Sequence, residues 1–305
     1  MDFARRLAGG MVRRRSEGGT SEQERWSAER NIVITGPGRS GTTLTCHLLN
    51  KLPDALALAE PITPGKFEHL MPDVEAVSDG IERFYRRTRR RALTRGTAIS
   101  KHVGGVVPDN TKAFVDGSRQ RVAERGEITI GKELRPGFYL AVKQPGLFTA
   151  LLPALVNRFA CYAIVRNPLA KLASELTLTP REGARPKPPS GERYDPALAE
   201  LVKGAGSDYL SRRLAVLGYF FGRYAEYLPP EHVVRYEDIV RSGGKALGVM
   251  VPSADLLGEP LELRNLNPLY NRDEMLRIGE RLLESDGAYW RFYTRESVEE
   301  LLAAV

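Results

Sequence analysis

Only two cysteines, Cys46 and Cys161, occur among 305 residues. They lie far apart, each among apolar neighbours, so they make neither a disulfide framework nor a metal-ligand spacing and read as small buried hydrophobes. Long apolar runs are missing too: no stretch approaches the ~20 residues needed to cross a bilayer. The first thirty residues are rich in Arg, Glu, Gly and Ser and have no apolar core of the signal-peptide kind, so Arg5-Arg6 and Arg13 to Arg15 do not make a twin-arginine signal. Residues 1–30 are therefore expected to be a flexible basic tail, residues 31–305 the folded domain, and the protein cytoplasmic. Histidine is scarce: His47, His69, His102 and His232 are the reserve acid–base candidates. His102, in Ser-Lys-His-Val-Gly-Gly, is the most interesting of them, in what reads as a loop; each is first of all a structural or exposed residue. There is no internal repeat and no low-complexity array.

What the chain does have is an ordinary globular composition, 42% hydrophobic and 27% charged, with a net charge of +7 and a pI near 9.4. That balance suits an anionic partner, whether nucleic acid, lipid headgroups, nucleotides or acidic glycans. A solvated basic surface is the plain alternative. Seven arginines at 83, 86, 87, 89, 90, 91 and 95, with Phe84 and Tyr85 among them, sharpen the same choice. They read as an exposed helix face or as a surface for an anionic substrate or nucleic acid, although the aromatics are too few and clumped for base stacking.

Short apolar runs alternate with helical stretches. A strand is expected over 31–36, then a helix over 41–51; Phe138 to Lys143 and Cys161 to Val165 read as further strands. Leu147 to Arg158 reads as a helix started or kinked by Pro153, and Asn167-Pro168 leads into another from Leu169 to Leu178. His232 to Tyr236 is a fourth strand candidate, and Arg272 to Glu284 a helix with Asn271 as N-cap and Glu274 in capping-box position. Five prolines between 180 and 196 mark a loop of the kind that serves as a lid or binding segment. Unbroken apolar strands alternating with helices imply an α/β protein with a mainly parallel sheet buried between helices.

Residues 36 to 43, Gly-Pro-Gly-Arg-Ser-Gly-Thr-Thr, carry the strongest signal. They follow the first strand and open the first helix. Glycines there let backbone N–H groups turn inward, and the helix N-terminus adds partial positive charge, so the segment is a phosphate cradle. Its spacing is that of a Walker A loop, Gly36 and Gly41 followed by a hydroxyl at Thr43. Yet Thr42 stands where a nucleotide triphosphatase has lysine, and the cation sits earlier, at Arg39. Arg166 ends another strand, with Ser174 about two turns into the next helix. A guanidinium and a hydroxyl at the carboxyl edge of an open sheet suit a phosphate monoester. Two such points imply a ligand with phosphates at both ends.

On these residues the chain resembles the sulfotransferases that use 3′-phosphoadenosine 5′-phosphosulfate. Gly36 to Thr43 look like that family's 5′-phosphosulfate loop, and Val165-Arg166-Asn167-Pro168, continuing to Ser174, like its 3′-phosphate motif. The Arg-Ser-Gly-Thr-Thr form is closer to the carbohydrate and tyrosylprotein enzymes than to the cytosolic small-molecule ones. The resemblance covers about 31–60 and 138–178, more weakly Tyr236-Glu237-Asp238, and implies a P-loop-like three-layer α/β fold. It further implies that Gly38, Arg39, Ser40, Gly41, Thr42 and Thr43 hold the 5′-phosphosulfate, and Arg166 and Ser174 the 3′-phosphate. Glu60, in Glu-Pro after the first helix, would be the general base, strengthened if partial burial raises its pKa. Lys143 either neutralises the migrating group or is a surface lysine.

The expected reaction is in-line transfer of a sulfuryl group to a hydroxyl or amine, with 3′,5′-bisphosphoadenosine as product and no metal required. The expected acceptor is a small molecule, carbohydrate or lipid, acidic if the arginines bear on it, and not a nucleic acid. Two other readings stay open: a nucleotide-dependent kinase with a degenerate loop, and a non-catalytic polyanion-binding protein. Oligomeric state is not legible.

Overall fold

A computed structural model describes residues 30–115, 118–178, 191–205 and 208–305. The expected tail, apart from Arg30, and residues 179–190 of the proline-rich segment lie outside the described residues.

Strand β1 (Asn31–Thr35) shows water no face at all, since all five residues are buried. A strand of that kind must be covered above and below. Helix α1 (Thr42–Leu49) follows, and its Leu48 and Leu49, with Leu52 just beyond it, enter the core. Next comes β2 (Ala55–Ala59), also wholly buried. The long α2 (Val74–Arg95) is capped by Asp73, which accepts from Ala76 N–H at 2.9 Å, and ends at Gly96. Beyond it, β3 (Thr97–His102), β4 (Lys112–Val115), β5 (Ser118–Arg121) and β6 (Glu124–Thr129) form two antiparallel pairs, β3 with β6 and β4 with β5.

The chain then returns to the main sheet through β7 (Tyr139–Lys143) and the short helices α3 (Pro145–Ala150) and α4 (Leu152–Leu155). The helix expected over 147–158 is thus two pieces, because Pro153 has no N–H for an interior helical bond and sits in the first turn of α4. Strand β8 (Ala160–Val165) leads to α5 (Pro168–Leu176), whose cap Asn167 accepts from Leu169 N–H at 3.0 Å. Helix α6 (Pro196–Gly204) begins at the last proline of the supposed loop, so that end of the segment is helical, with Asp195 as its cap. After α7 (Tyr209–Tyr227) come β9 (Val233–Arg235) and α8 (Tyr236–Arg241). Tyr236 therefore opens a helix instead of closing the fourth strand. Helix α9 (Arg272–Leu283) has the expected cap, Asn271 accepting from Glu274 N–H at 2.9 Å, and α10 (Arg295–Ala303) follows.

The central sheet has the order β2-β7-β1-β8-β9, and every pairing in it is parallel. Helices flank this sheet, giving the α/β layer architecture implied by the sequence. From β1 the chain first moves to one side, to β2 and β7, and then to the other, to β8 and β9. Such a reversal opens a crevice at the carboxyl ends of the strands beside β1.

The arginine run on α2 is not one exposed face. Val77, Ile81, Phe84, Tyr85, Thr88 and Ala92 form the buried stripe, and Tyr85 donates to the Ile32 carbonyl at 2.7 Å. Arg89 lies within that stripe and is a buried strut. It donates to Asn31 Oδ1 at 3.1 Å and to the carbonyls of Phe138 and Arg30 at 2.7 and 2.8 Å, with the Phe138 ring under its guanidinium. Both cysteines are buried, as expected; burial pushes the Cys46 thiol up to about 12 and the Cys161 thiol higher still.

Candidate functional site

The loop after β1 is shaped by close approach. A Cβ on Gly36 would lie 2.2 Å from the Ile164 carbonyl oxygen of β8, and one on Gly41 would lie 2.6 Å from the Tyr236 ring. Gly41, at φ 86°, and Arg39, at φ 73°, adopt left-handed conformations that glycine accepts readily and arginine does not. These bends bring the loop round into the first turn of α1. No side chain caps that turn, and no acidic residue lies in it. The Ser40 hydroxyl is buried and, among the described residues, has no hydrogen-bond partner. An uncapped helix N-terminus beside a partnerless hydroxyl suits an anion.

Arg39 joins the two motifs. Its Nε donates to Ser174 Oγ at 3.1 Å, and its Nη1 to Asn110 Oδ1 at 3.1 Å. Its own carbonyl accepts from Arg166 Nη1 at 3.1 Å. Arg166 also donates through Nε to Asn265 Oδ1 at 2.9 Å, and through Nη2 to the Arg264 carbonyl and the Tyr270 hydroxyl, while its guanidinium lies 4.7 Å from the centre of the Tyr236 ring. A guanidinium has five N–H groups. Arg166 therefore ties the loop, β8 and the 264–270 segment together and keeps little of its fork to offer a ligand. The sequence places this guanidinium for a phosphate; in the fold most of its N–H groups already have protein partners.

Glu60 is placed by register. Ala59 pairs with Lys143 across β2 and β7, and Glu60 N–H donates to the Lys143 carbonyl at 2.8 Å. At φ 46°, Glu60 turns the chain out of the sheet. Its Oε1 then accepts from Lys143 Nζ at 2.5 Å, and its Oε2 from Lys101 Nζ of β3. Lys143 is only 4% exposed and also reaches Thr43 Oγ1 of the loop at 3.3 Å, so it is no surface lysine. Burial by itself would raise the Glu60 carboxyl, but the Lys143 and Lys101 ammoniums outweigh it and hold the carboxyl down at about 2. The raised pKa expected for a half-buried base is thus overturned by two cations that the sequence did not place beside it.

All of these groups open into one cavity of about 570 Å³. Gly38, Arg39, Gly41, Thr42, Thr43, Glu60, Lys143, Arg166 and Ser174 line it, and Ser40 is sealed behind. Lys101, the Asp109 to Thr111 segment and, from the stretch after Glu259, Pro260, Leu261, Glu262, Arg264, Asn267 and Tyr270 complete the wall, and no sequence signal singles out any of them but Lys101. A signal for Lys101 existed in the alternation from Thr97 to His102, obscured by the two glycines just after it. His102 is buried at the end of β3 and accepts from Gly105 N–H at 3.1 Å, a structural role. His47 and His232 donate to the carbonyls of Val107 and Cys161, each at 3.0 Å. Asp238 faces Arg235 and Arg241 at the surface. Among the described residues, no group of three or more His, Cys, Asp or Glu is placed to hold a metal ion.

No family model and no curated protein matches the chain. Among solved structures, its backbone is similar to a sulfotransferase from Alicyclobacillus acidocaldarius, at 17% identity and TM-score 0.37 over 86% of this chain and 98% of that one. Similar values relate it to sulfotransferase STF9 from Mycobacterium avium, 16% identical with TM-score 0.35 over 93% and 78% of the two chains. Sulfotransferase STF1 from Mycobacterium tuberculosis H37Rv gives 16% and 0.33 over 93% and 80%. Scores this low say nothing of chemistry, and the fold stands on the strand pairing itself.

Proposed function

We propose that the protein transfers a sulfuryl group from 3′-phosphoadenosine 5′-phosphosulfate to an acceptor hydroxyl or amine. One observation carries this reading: Arg39 bonds to Ser174 and accepts from Arg166, so the two anion motifs, from different strands, meet in a cavity that also holds Glu60 and Lys143.

In this reading the loop amides from Gly38 to Thr43, with the Arg39 side chain, hold the 5′-phosphosulfate. Ser174 and the remaining N–H of Arg166 meet the 3′-phosphate. The acceptor oxygen attacks sulfur in line with the bridging oxygen; a new S–O bond forms and the bond to the 5′-phosphate breaks. The acceptor's proton passes to the Glu60 carboxylate, and 3′,5′-bisphosphoadenosine leaves. Glu60 is a weak base while both lysines hold it. Donor oxygens compete for Lys143, which already reaches the loop at Thr43. As Lys143 turns to the sulfuryl group, the Glu60 pKa rises toward its ordinary range, and the same movement stabilises charge on the leaving oxygens. Base strength is thereby coupled to donor binding.

Calorimetric titration with 3′,5′-bisphosphoadenosine and, separately, with Mg-ATP tests the reading. Saturable binding of the bisphosphate, preferred over Mg-ATP, is the expected result. Preference for Mg-ATP with chelator-sensitive turnover overturns it in favour of a kinase, and salt-sensitive polyanion binding without a nucleotide site overturns it in favour of a binding protein.

A further inference from the structure

Glu237 is a carboxylate that the chemistry above does not use. It lies in the first turn of α8 and is only 6% exposed. Burying a carboxylate is costly unless its oxygens are satisfied. Here Oε1 accepts from the Asn167 backbone N–H at 3.0 Å and from Asn265 Nδ2 at 2.8 Å, and Oε2 accepts from the Tyr293 hydroxyl at 2.7 Å. All three donors are neutral. Among the described residues, no lysine or arginine pairs with this carboxylate directly.

Two of these bonds lead to Arg166. Asn167 follows it at the end of β8, so the contact to Oε1 fixes the main chain just past the arginine. Asn265 meets the same arginine at its side chain, where Oδ1 accepts from Arg166 Nε at 2.9 Å. An ionised carboxylate can only accept hydrogen bonds. Facing Glu237, the Asn265 amide must therefore turn its NH2 group to the carboxylate and its oxygen to the guanidinium. A reversed amide would set NH2 against Nε–H, donor against donor. Glu237 thus decides which way the amide points, although the carboxylate never touches the arginine. Tyr236, one residue earlier, lies under the guanidinium, 4.7 Å from its ring centre. Consecutive residues of α8 hold Arg166, one by its flat face and the other, through an amide, by its Nε edge.

We propose that Glu237 is a positioning residue: acting through Asn265, it fixes the Arg166 fork in the one orientation that recognises the 3′-phosphate of the donor. Arg166 gives Nε to Asn265, one Nη1 hydrogen to the Arg39 carbonyl, and its Nη2 hydrogens to the Arg264 carbonyl and the Tyr270 hydroxyl. Of the five N–H groups of a guanidinium, that leaves one, on Nη1, without a partner among the described residues. Its direction is set by the other four. Asn265 is itself buried, so water does not readily replace it as the acceptor for Nε. The role rests on the sulfuryl-transfer reading for its ligand, but the chain of contacts from Glu237 to Arg166 does not depend on it.

The test compares binding of 3′,5′-bisphosphoadenosine and of adenosine 5′-monophosphate, which lacks the 3′-phosphate, by calorimetric titration of the full chain. The ratio of the two affinities reads recognition of the 3′-phosphate alone, which general damage to the fold would not move. Glu237→Met should lower that ratio by about tenfold or more, as for one charge-assisted contact, with affinity for the monophosphate nearly the same. Glu237→Gln should keep most of the ratio, because an amide oxygen can stand in for Oε1 while its NH2 group donates to the Tyr293 hydroxyl. Asn265→Ala should lower the ratio as Glu237→Met does, and the double variant no further than either alone, since one residue acts through the other. An unchanged ratio in Asn265→Ala, losses that add in the double variant, a glutamine variant as poor as the methionine one, or equal weakening of both nucleotides overturns the proposal. Asn265→Ala leaves the carboxylate its bonds to Asn167 and Tyr293, so it carries the test alone if Glu237→Met does not fold. Failure of the unaltered chain to bind 3′,5′-bisphosphoadenosine strikes instead at the donor, and is seen before any variant is made.

Discussion

Lys143 Nζ stands 2.5 Å from Glu60 Oε1, at the ends of two strands whose register makes the meeting unavoidable. The pair, with Lys101, keeps the Glu60 carboxyl near 2. A carboxyl lowered on folding contributes stability that is fully present above its unfolded value, near 4.5, and is lost as pH falls toward 2. Lys143→Met removes the strongest lowering influence and leaves burial, which raises, opposed by Lys101 alone. The Glu60 titration should then move upward, followed by carbon NMR of labelled glutamate, and acid unfolding should begin at higher pH. A Glu60 titration unmoved by this change would mean that Lys101 alone sets it.

Removing the carboxylate itself tests the chemistry. Glu60→Gln keeps the shape of the side chain and one of its two oxygens, replaces the other with an NH2 group, and cannot take a proton. Turnover in a labelled-donor transfer assay should fall by about 10²–10⁴, while affinity for 3′,5′-bisphosphoadenosine stays nearly the same. A loss of only a few fold would move the base elsewhere.

Arg166 should matter to the fold before it matters to the ligand. Its four contacts link Arg39, Arg264, Asn265 and Tyr270. Arg166→Ala leaves two carbonyls and an amide oxygen short of a donor, which should lower stability by about 2–4 kcal/mol in denaturant unfolding. Donor affinity should fall as well, because the loop loses its brace. Arg166→Lys should recover charge but not the geometry, and so restore only part of each.

Neighbouring arginines of α2 should behave in opposite ways. Arg89→Met strips a buried three-way hydrogen-bonded strut and should destabilise by about 2–4 kcal/mol. Arg90→Ala, one residue on and exposed, should stay within about 0.5 kcal/mol. Thermal and denaturant unfolding of the two variants side by side would show whether the run is one surface or two.

Much of the architecture was legible because its signals are local. Ile32 to Ile34 and Cys161 to Val165 are apolar throughout, and Asn167-Pro168 and Asn271 announce helix starts within a few residues. Strand β2 was not legible: Ala-Leu-Ala-Leu-Ala suits a helix as well as a strand, and only pairing with β7 decides it. Lys101 and Asn110 were hidden for a related reason. Each acts on a partner far off in sequence, Glu60 and Arg39, and a single chain carries no mark of such a meeting. The arginine run misled because composition counts charges without saying which side of a helix they occupy. The partners of Glu60, and hence the direction of its pKa shift, could come only from the fold.

Tyr236 presses its ring against Gly41 and carries the Arg166 guanidinium on its face. One aromatic plate thus wedges together the cradle, the end of a strand and the first turn of a helix. A guest entering here finds its mould already set, and little ordering entropy is spent when it binds.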